Sequence, residues 1–360
     1  MAKRKLKVGV IFGGKSAEHE VSLQTARTII NSLDKKKYEV VPIGITKGGK
    51  WLIQDRARYL LNADNPKLIK LNKSNREIAL AGSSSGTLTE VSGRSESKID
   101  VAFPALHGPY GEDGSVQGFL KVAGIPFVGA GVLGSAVGMD KDVAKRLLRD
   151  AGIPIPKFLV FRRGEKISYK EVSKKLGKVV FIKPANLGSS VGIYKVKTRQ
   201  EFEHAVKDAF HYDFKVLVEE AIKGREIECG VIGNGRPMVS LPGEIIPRHE
   251  FYDYEAKYID EEGADFEVPV KLPKKVTKKI QETAARAYRT LGCEGMGRVD
   301  MFLKKNGAVL VNEINTIPGP VMFRRLWEAS GLSFPKLLDK LVEFAIERFN
   351  RERKLKTTFN

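Results

Sequence analysis

Cysteine is nearly missing from this 360-residue chain; the two present, Cys229 and Cys293, stand far apart in apolar contexts. A disulfide framework or a cysteine-built zinc site is thereby excluded, and both thiols read as reduced and buried. Long apolar runs are missing as well. No stretch approaches the ~18 residues a membrane span needs, and the apolar run near the basic start, Val8 to Phe12, is too short for a secretion signal. The expectation is a soluble, cytoplasmic protein with no membrane partner. Acid is scarce relative to base, 43 Asp and Glu against 62 Lys and Arg, for a net charge of +19. Such an excess could suit nucleic acid. The lysines are scattered, however, with runs only at the ends (Lys3, Arg4, Lys5, Lys7; Arg351, Arg353, Lys354, Lys356), and no aromatic residues interleave them. A solvated surface that attracts a polyphosphate substrate is the simpler reading, and no nucleic-acid partner is expected. There is no internal repeat.

What is present is an ordinary globular composition, 42% hydrophobic, on a chain long enough for two or three domains. Lys7 to Phe12 is a β-type run closed by Gly13-Gly14. Leu23, Ala26, Ile30 and Leu33 then recur at helical spacing, with Ser16 placed to cap and Glu18 and Glu20 near the positive helix end. Strands at Glu39 to Ile45 and Ile99 to Pro104 complete the opening of a doubly wound α/β domain. Between them, the Ser- and Gly-rich Ala81 to Lys98 reads as a surface excursion. A helix follows at Asp140 to Ala151, with Val143, Leu147, Leu148 and Ala151 on its apolar side, and Gly152 and Pro154 end it. Strands and helices then alternate through Val179 to Lys183, Glu201 to Phe210, Val216 to Glu220 and Ile227 to Ile232. The last third holds a helix at Val276 to Leu291, a hairpin at Gly297 to Asn315 and a terminal helix around Leu337 to Phe349.

Gly9, Gly14, Lys15 and Ser16 match the phosphate-binding pattern G-x-x-x-x-G-K-[ST] letter for letter. The match is accidental on this reading. Val10, Ile11 and Phe12 would have to form the flexible loop, yet they read as the end of a strand, so a plain strand-to-helix turn is expected.

The sharpest inference comes from the hairpin. Asn306-Gly307 suits a two-residue type I′ turn, which would place Asp300 opposite Glu313 and Arg298 opposite Asn315 on one face. Directly opposed carboxylates repel. A hard cation between them would explain the pattern, because Mg typically takes one or two carboxylates together with substrate phosphates. The bland alternative is a solvated face with Arg298 neutralising one acid.

A second constellation runs from Lys183-Pro184 through Asn186-Leu187-Gly188-Ser189-Ser190-Val191-Gly192. Such a loop can present backbone N–H groups and hydroxyls, Ser190 included, to phosphate oxygens while Lys183 adds a point charge; an ordinary hairpin loop would look much the same. Glu219, Glu220 and Glu226 at strand ends could hold adenine and ribose or could simply be solvated. His107, inside a glycine-rich turn, is open to both a catalytic and a structural reading.

These segments, together with Phe12 to Ser22, His107 to Gly118, Met139 to Lys141, Phe251 to Tyr258 and Asn312 to Gly319, make the chain resemble the D-alanine:D-alanine ligases of the ATP-grasp superfamily along nearly its whole length. The resemblance implies an N-terminal doubly wound (pre-ATP-grasp) α/β domain, residues 1–138. An ATP-grasp fold of two α+β subdomains, 139–225 and 226–360, would come after it. ATP would phosphorylate the carboxylate of one D-alanine, and the amine of a second would attack the acylphosphate, for peptidoglycan synthesis. Lys141, Lys183 and Ser190 would meet the ATP phosphates, with Glu219 and Glu220 on the adenine side and Glu226 at the ribose. Asp300, Glu313 and Asn315 would hold two Mg or Mn ions, while Arg298 and the Gly319 N–H would stabilise the oxyanion. Glu18 would bind the first ammonium, with His107 and Lys257 also toward substrate, and Ser189 and Tyr258 would link the closing loops. Tyr at 258 resembles the D-alanine-adding branch rather than the D-lactate-adding one. A homodimer is implied too.

One segment departs from the family. After Gly319 the chain reads Pro320-Val321-Met322-Phe323-Arg324-Arg325, about three residues shorter than usual and without the Ser that would hold the second substrate's carboxylate. Either Arg324 or Arg325 takes over that carboxylate, or the acceptor site is altered. A ligase with another second substrate, and a non-catalytic basic binding protein, are therefore the alternatives.

Overall fold

The computed structural model describes residues 4–56, 58–72, 76–80, 86–91, 96–188, 191–248 and 264–356. The first sheet has the order Trp51–Ile53, Tyr38–Ile45, Leu6–Gly13, Val101–Pro104. Leu6–Gly13 runs parallel to both neighbours, and Trp51–Ile53 closes the edge antiparallel. Strand alternation splits the Leu6–Gly13 side chains between two cores. Val8, Val10 and Phe12 face the His19–Ser32 helix and also the C-terminal helix Phe334–Glu352. Ile11 points to the opposite face, toward Val116 and Leu120 of the Ser115–Val122 helix. Gly9 to Phe12 therefore lie in a buried strand, and the Lys15 stem packs over Gly49, as expected if the phosphate-loop match is accidental.

Two details differ from the expected picture. The first helix starts at His19 with Glu18 at its N-cap, so Ser16 is not the cap; its hydroxyl instead accepts the Glu18 N–H at 3.0 Å. The Ala81 to Lys98 region is not merely an excursion. Ile78–Leu80, Thr87–Glu90 and Glu96–Lys98 form a three-stranded antiparallel sheet, in which Leu88 is fully buried and Arg76 pairs with Glu90.

The second sheet is antiparallel, with the order Phe158–Arg162, Lys215–Glu220, Val180–Pro184, Tyr194–Val196. It packs on the Tyr169–Leu176 and Arg199–Tyr212 helices. The third, also antiparallel, runs Ala264–Glu267, Gly243–Pro247, Arg225–Ile232, Met296–Leu303, Val309–Asn315 and is backed by the Lys274–Thr290 helix. Cys229 and Cys293 are free and buried in this core, and burial pushes the Cys293 thiol up to about 12. Among the described residues no helix is long and apolar enough to cross a membrane.

The Lys141–Asp150 helix turns differently from the periodicity reading. Its buried stripe is Lys141, Ala144, Lys145 and Leu148, while Val143 and Leu147 are exposed and, of the expected apolar side, only Leu148 is buried. The spacing i, i+3, i+4, i+7 was there. Two of its four members are lysines, so hydrophobicity alone selected the wrong face.

Candidate active site

The hairpin Met296–Leu303 to Val309–Asn315 carries the expected pairs Asp300 with Glu313 and Arg298 with Asn315. The route to that register is different. Lys304 and Ala308 close the turn, and Gly307 N–H bonds the Lys304 carbonyl at 2.9 Å with Gly307 at φ +76, which is a three-residue loop ending in a left-handed glycine rather than a type I′ turn. The extra residue shifts the register by one. A bulge between Asp300 and Met301 shifts it back, leaving Asn312 unpaired on the longer side. That bulged residue points its polar groups at two lysines. Lys145 Nζ donates to the Asn312 carbonyl at 3.0 Å, and Lys183 Nζ reaches Asn312 Oδ1 at 3.4 Å.

Across the third sheet, Glu228 pairs with Asp300 and Asp300 with Glu313, so three carboxylates share one row. Arg298 lies in the next row on the same face, opposite Asn315. Its Nε and Nη2 donate to the two Asp300 oxygens, each at 2.8 Å, and Nε lies 3.0 Å from Glu228 Oε2. Asn315 Nδ2 adds a bond to Asp300 at 2.9 Å, and Lys141 Nζ lies 3.4 Å from Glu313 Oε2. Among the described residues no cluster of three or more His, Cys, Asp or Glu forms a ready cage for an ion. The donor set still suits a hard cation that takes one or two carboxylates and draws its other oxygens from phosphate. Asp300 and Glu313 are adjacent on one face, and rotating the Asn315 amide would present its oxygen.

Opposite this row stands the second sheet. Phe181 pairs with Glu219, so Lys183, two residues on, shares the Glu219 face. Glu219 is 2% exposed, and its oxygens receive Lys183 at 2.7 Å and Lys145 at 3.0 Å. Burial alone would raise this carboxyl, but the two ammonium groups outweigh it and hold it down at about 2. Glu226, exposed, acts electrostatically on Lys183. Glu220 turns the other way and accepts the Lys157 N–H at 2.8 Å. Lys141 donates to the Leu187 carbonyl at 2.5 Å, bringing the glycine-rich loop down onto the start of its helix.

The first domain closes the third side of the cleft. Glu18, 4% exposed, lies so close to two turns that a Cβ at Gly108 would stand 2.7 Å from its Oε2, and one at Gly188 would stand 3.2 Å away. His107, buried, lies 2.8 Å through Nε2 from Thr25 Oγ1. Burial, aided by the nearby Arg298 charge, pulls its imidazole down to about 4. The cleft between these parts is lined by Glu112, Lys141, Gly188, Glu313 and Asn315 among others.

Gly319 is the N-cap of the Pro320–Ala329 helix, which begins immediately after it. Of the two arginines there, Arg324 bonds Glu328 one turn along the exposed helix surface, at 2.8 Å, and Arg325 stacks 5.0 Å from the Phe266 ring centroid. Ser189, Ser190, Lys257 and Tyr258 lie outside the described residues.

Periodicity and motif reading missed Lys145, Glu112, Glu228 and Asn312. Only Lys145 carried a signal, its i, i+4 spacing from Lys141.

A family model described as "D-ala D-ala ligase N-terminus" matches residues 7–130, and one described as "D-ala D-ala ligase C-terminus" matches 147–343. The chain is 51% identical to the D-alanine–D-alanine ligase of Oceanobacillus iheyensis, over 98% of this chain and 99% of that protein. Among solved structures it is similar to the D-alanine-D-alanine ligase of Coxiella burnetii, with 40% identity and a TM-score of 0.84 over 98% of this chain and 97% of that one. It also resembles the Bacillus anthracis ligase complexed with ATP, at 30% identity and a TM-score of 0.72 over 96% and 99% of the two chains.

Proposed function

Because the chain belongs to the D-alanine–D-alanine ligase family, we propose that the cleft between its sheets is the site of its reaction, with the residues above in the roles their positions allow. The chain is an ATP-dependent, ADP-forming ligase that joins two D-alanines for peptidoglycan synthesis, and it works with a divalent metal. Neither a different acceptor nor a binding-only role gains support from relatives this similar along the whole chain. We divide it at 138/139 and 225/226, each part built around its own sheet. Family membership also supports a homodimer and a cytoplasmic location.

The observation that carries the site assignment is the meeting of Lys141, Lys183 and Glu219 on one wall with Asp300, Glu313 and Asn315 on the other. Lys141 and Lys183 hold the ATP phosphates, with Ser190 in the covering loop, while Glu219, Glu220 and Glu226 serve adenine and ribose. Asp300, Glu313 and Asn315 hold the metal, assigned as two Mg or Mn ions, which when bound neutralises phosphate charge. Glu18 orients the first D-alanine through its ammonium, with His107 and Lys257 nearby, so that its carboxylate attacks the γ-phosphorus to give an acylphosphate and ADP. Ser189 and Tyr258 close over it and exclude water. The amine of the second D-alanine then attacks the acyl carbon. Arg298, locked by Glu228 and Asp300, and the Gly319 N–H meet the developing oxyanion, phosphate leaves and the amine loses a proton. For the acceptor carboxylate, Arg325 is the better candidate, because Arg324 is already engaged by Glu328.

The test is incubation with ATP, Mg and a panel of D-amino and D-hydroxy acids, measuring phosphate release and product mass. D-alanine alone is expected to release phosphate and give the D-alanyl dipeptide. Phosphate release without dipeptide would sink the acceptor assignment, and no D-alanine-dependent release would sink the whole reading.

A further inference from the structure

The turn from His107 to Gly114 belongs to the first domain, whereas Ile317 comes just after the catalytic hairpin of the third sheet. The two are joined by Glu112. One of its oxygens accepts the Gly108 N–H at 2.8 Å, and the other accepts the Ile317 N–H at 3.2 Å, across 205 residues of sequence. The buried ring of His107, anchored with Nε2 2.8 Å from Thr25 Oγ1, lies beside the same Ile317 backbone. Ile317 is thus bonded by one side chain of the turn and flanked by another.

The next two residues make the grip consequential. Pro318 has a fixed φ, so few free torsions separate the clamped Ile317 from the Gly319 N–H. Glu112 and His107 are 9% and 5% exposed, which leaves little water to replace the Glu112 bond to Ile317 if it is lost. We propose that Glu112 is a positioning residue that, together with His107, clamps the backbone of Ile317 and through Pro318 aims the Gly319 N–H at the oxyanion. The same carboxyl group holds Gly108, which packs against Glu18, so the clamp ties the first-substrate pocket to the oxyanion site. The inference rests on the assignment of Arg298 and Gly319 to that oxyanion.

The experiment is steady-state kinetics of the full chain with ATP and D-alanine for Glu112→Gln, Glu112→Asp, His107→Gln, the Glu112→Gln/His107→Gln double variant and Arg298→Lys. Glutamine keeps the size of Glu112 but turns an N–H donor toward one of the backbone donors it must accept from. A displacement on the order of 1 Å costs up to ~100-fold. The expected result is that kcat falls about 10- to 100-fold in Glu112→Gln while KM for ATP and for the first D-alanine stays within about threefold, the pattern of an interaction felt only in the transition state. Glu112→Asp, which keeps two acceptor oxygens, is expected to recover part of the loss. The double variant is expected to be no worse than the poorer single one, because both side chains act on one backbone segment. Unchanged kcat, a loss seen only in KM for D-alanine, or multiplying effects in the double variant would overturn the clamp. Normal kcat in Arg298→Lys would instead overturn the oxyanion assignment, whereas a crippled Arg298→Lys beside a normal Glu112→Gln would sink the clamp alone.

Discussion

A buried histidine that stays neutral leaves a trace in stability. His107 titrates at about 4, below its usual 6.5, because burial strips water from the imidazolium and Arg298 repels it. The folded chain therefore takes up this proton later than the unfolded chain does. Its contribution is complete above pH 6.5 and is lost as pH falls through about 4, by about 3 kcal/mol. Urea unfolding at pH 7 and at pH 4 is expected to show the wild type losing that much more stability than His107→Gln. Parallel losses in the two proteins would rule out a neutral buried imidazole. The individual residues were unevenly legible in the sequence. Lys183 stood out at the end of an apolar strand, but Lys145 did not, because a lysine at a core position counts as polar until Glu219 and the Asn312 carbonyl are seen around it. Arg324 and Arg325 could not be ranked until Glu328 was found holding one of them.

The hairpin shows how an element can be right at one end for a reason that fails at the other. The Asn306-Gly307 dipeptide pointed to the turn, yet its type was misjudged, and the bulge at Asn312 restored the register. Bulges have no dependable sequence mark, whereas alternation does. The register also separates two substitutions that look equivalent. Asp300→Asn and Glu313→Gln are both expected to lower ligation by more than about 100-fold and to weaken Mg dependence, since each takes a charge from the oxygen set. Their stabilities without Mg should diverge. Glu313→Gln relieves repulsion with Asp300 but also gives up the Lys141 ammonium 3.4 Å away, so the melting temperature is expected to move by no more than a few degrees. Asp300→Asn removes the charge that Arg298 grips with two bonds and is expected to cost about 1–3 kcal/mol. Thermal melts and Mg titrations of activity decide it, and near-normal activity at low Mg in either variant would remove the metal from this hairpin.

At the scale of the whole molecule, the two ends of the chain share one core. Phe334, Leu337, Leu338, Leu341, Val342 and Ala345 of the last helix pack with Val8, Val10, Phe12 and Leu23. Each large apolar side chain buried there contributes roughly 1.5–3 kcal/mol, and the total stability of a domain is only about 5–15 kcal/mol. Truncation after Ser333 is expected to abolish cooperative melting of the first domain, followed by circular dichroism. A truncated chain that melts cooperatively within a few degrees of the full one would mean that the first sheet is stable alone.

The sequence by itself determined the kinds of element and their order. The glycine turn after the first strand, the helical spacing of Leu23, Ala26 and Ile30, and the alternation that puts Asp300 and Glu313 on one face all come from periods of 3.6 and 2. Its motifs were also enough to mark the family and to dismiss the false phosphate loop. Tertiary structure alone decided which charges are buried and what they touch. Lys145, Glu219 and Asn312 come from three separate elements, and Glu112 finds the Ile317 N–H from a turn in another domain. A local pattern records which face of an element is apolar, but the cost of burying a charge is settled by its partner, and here that partner is supplied by a distant part of the chain.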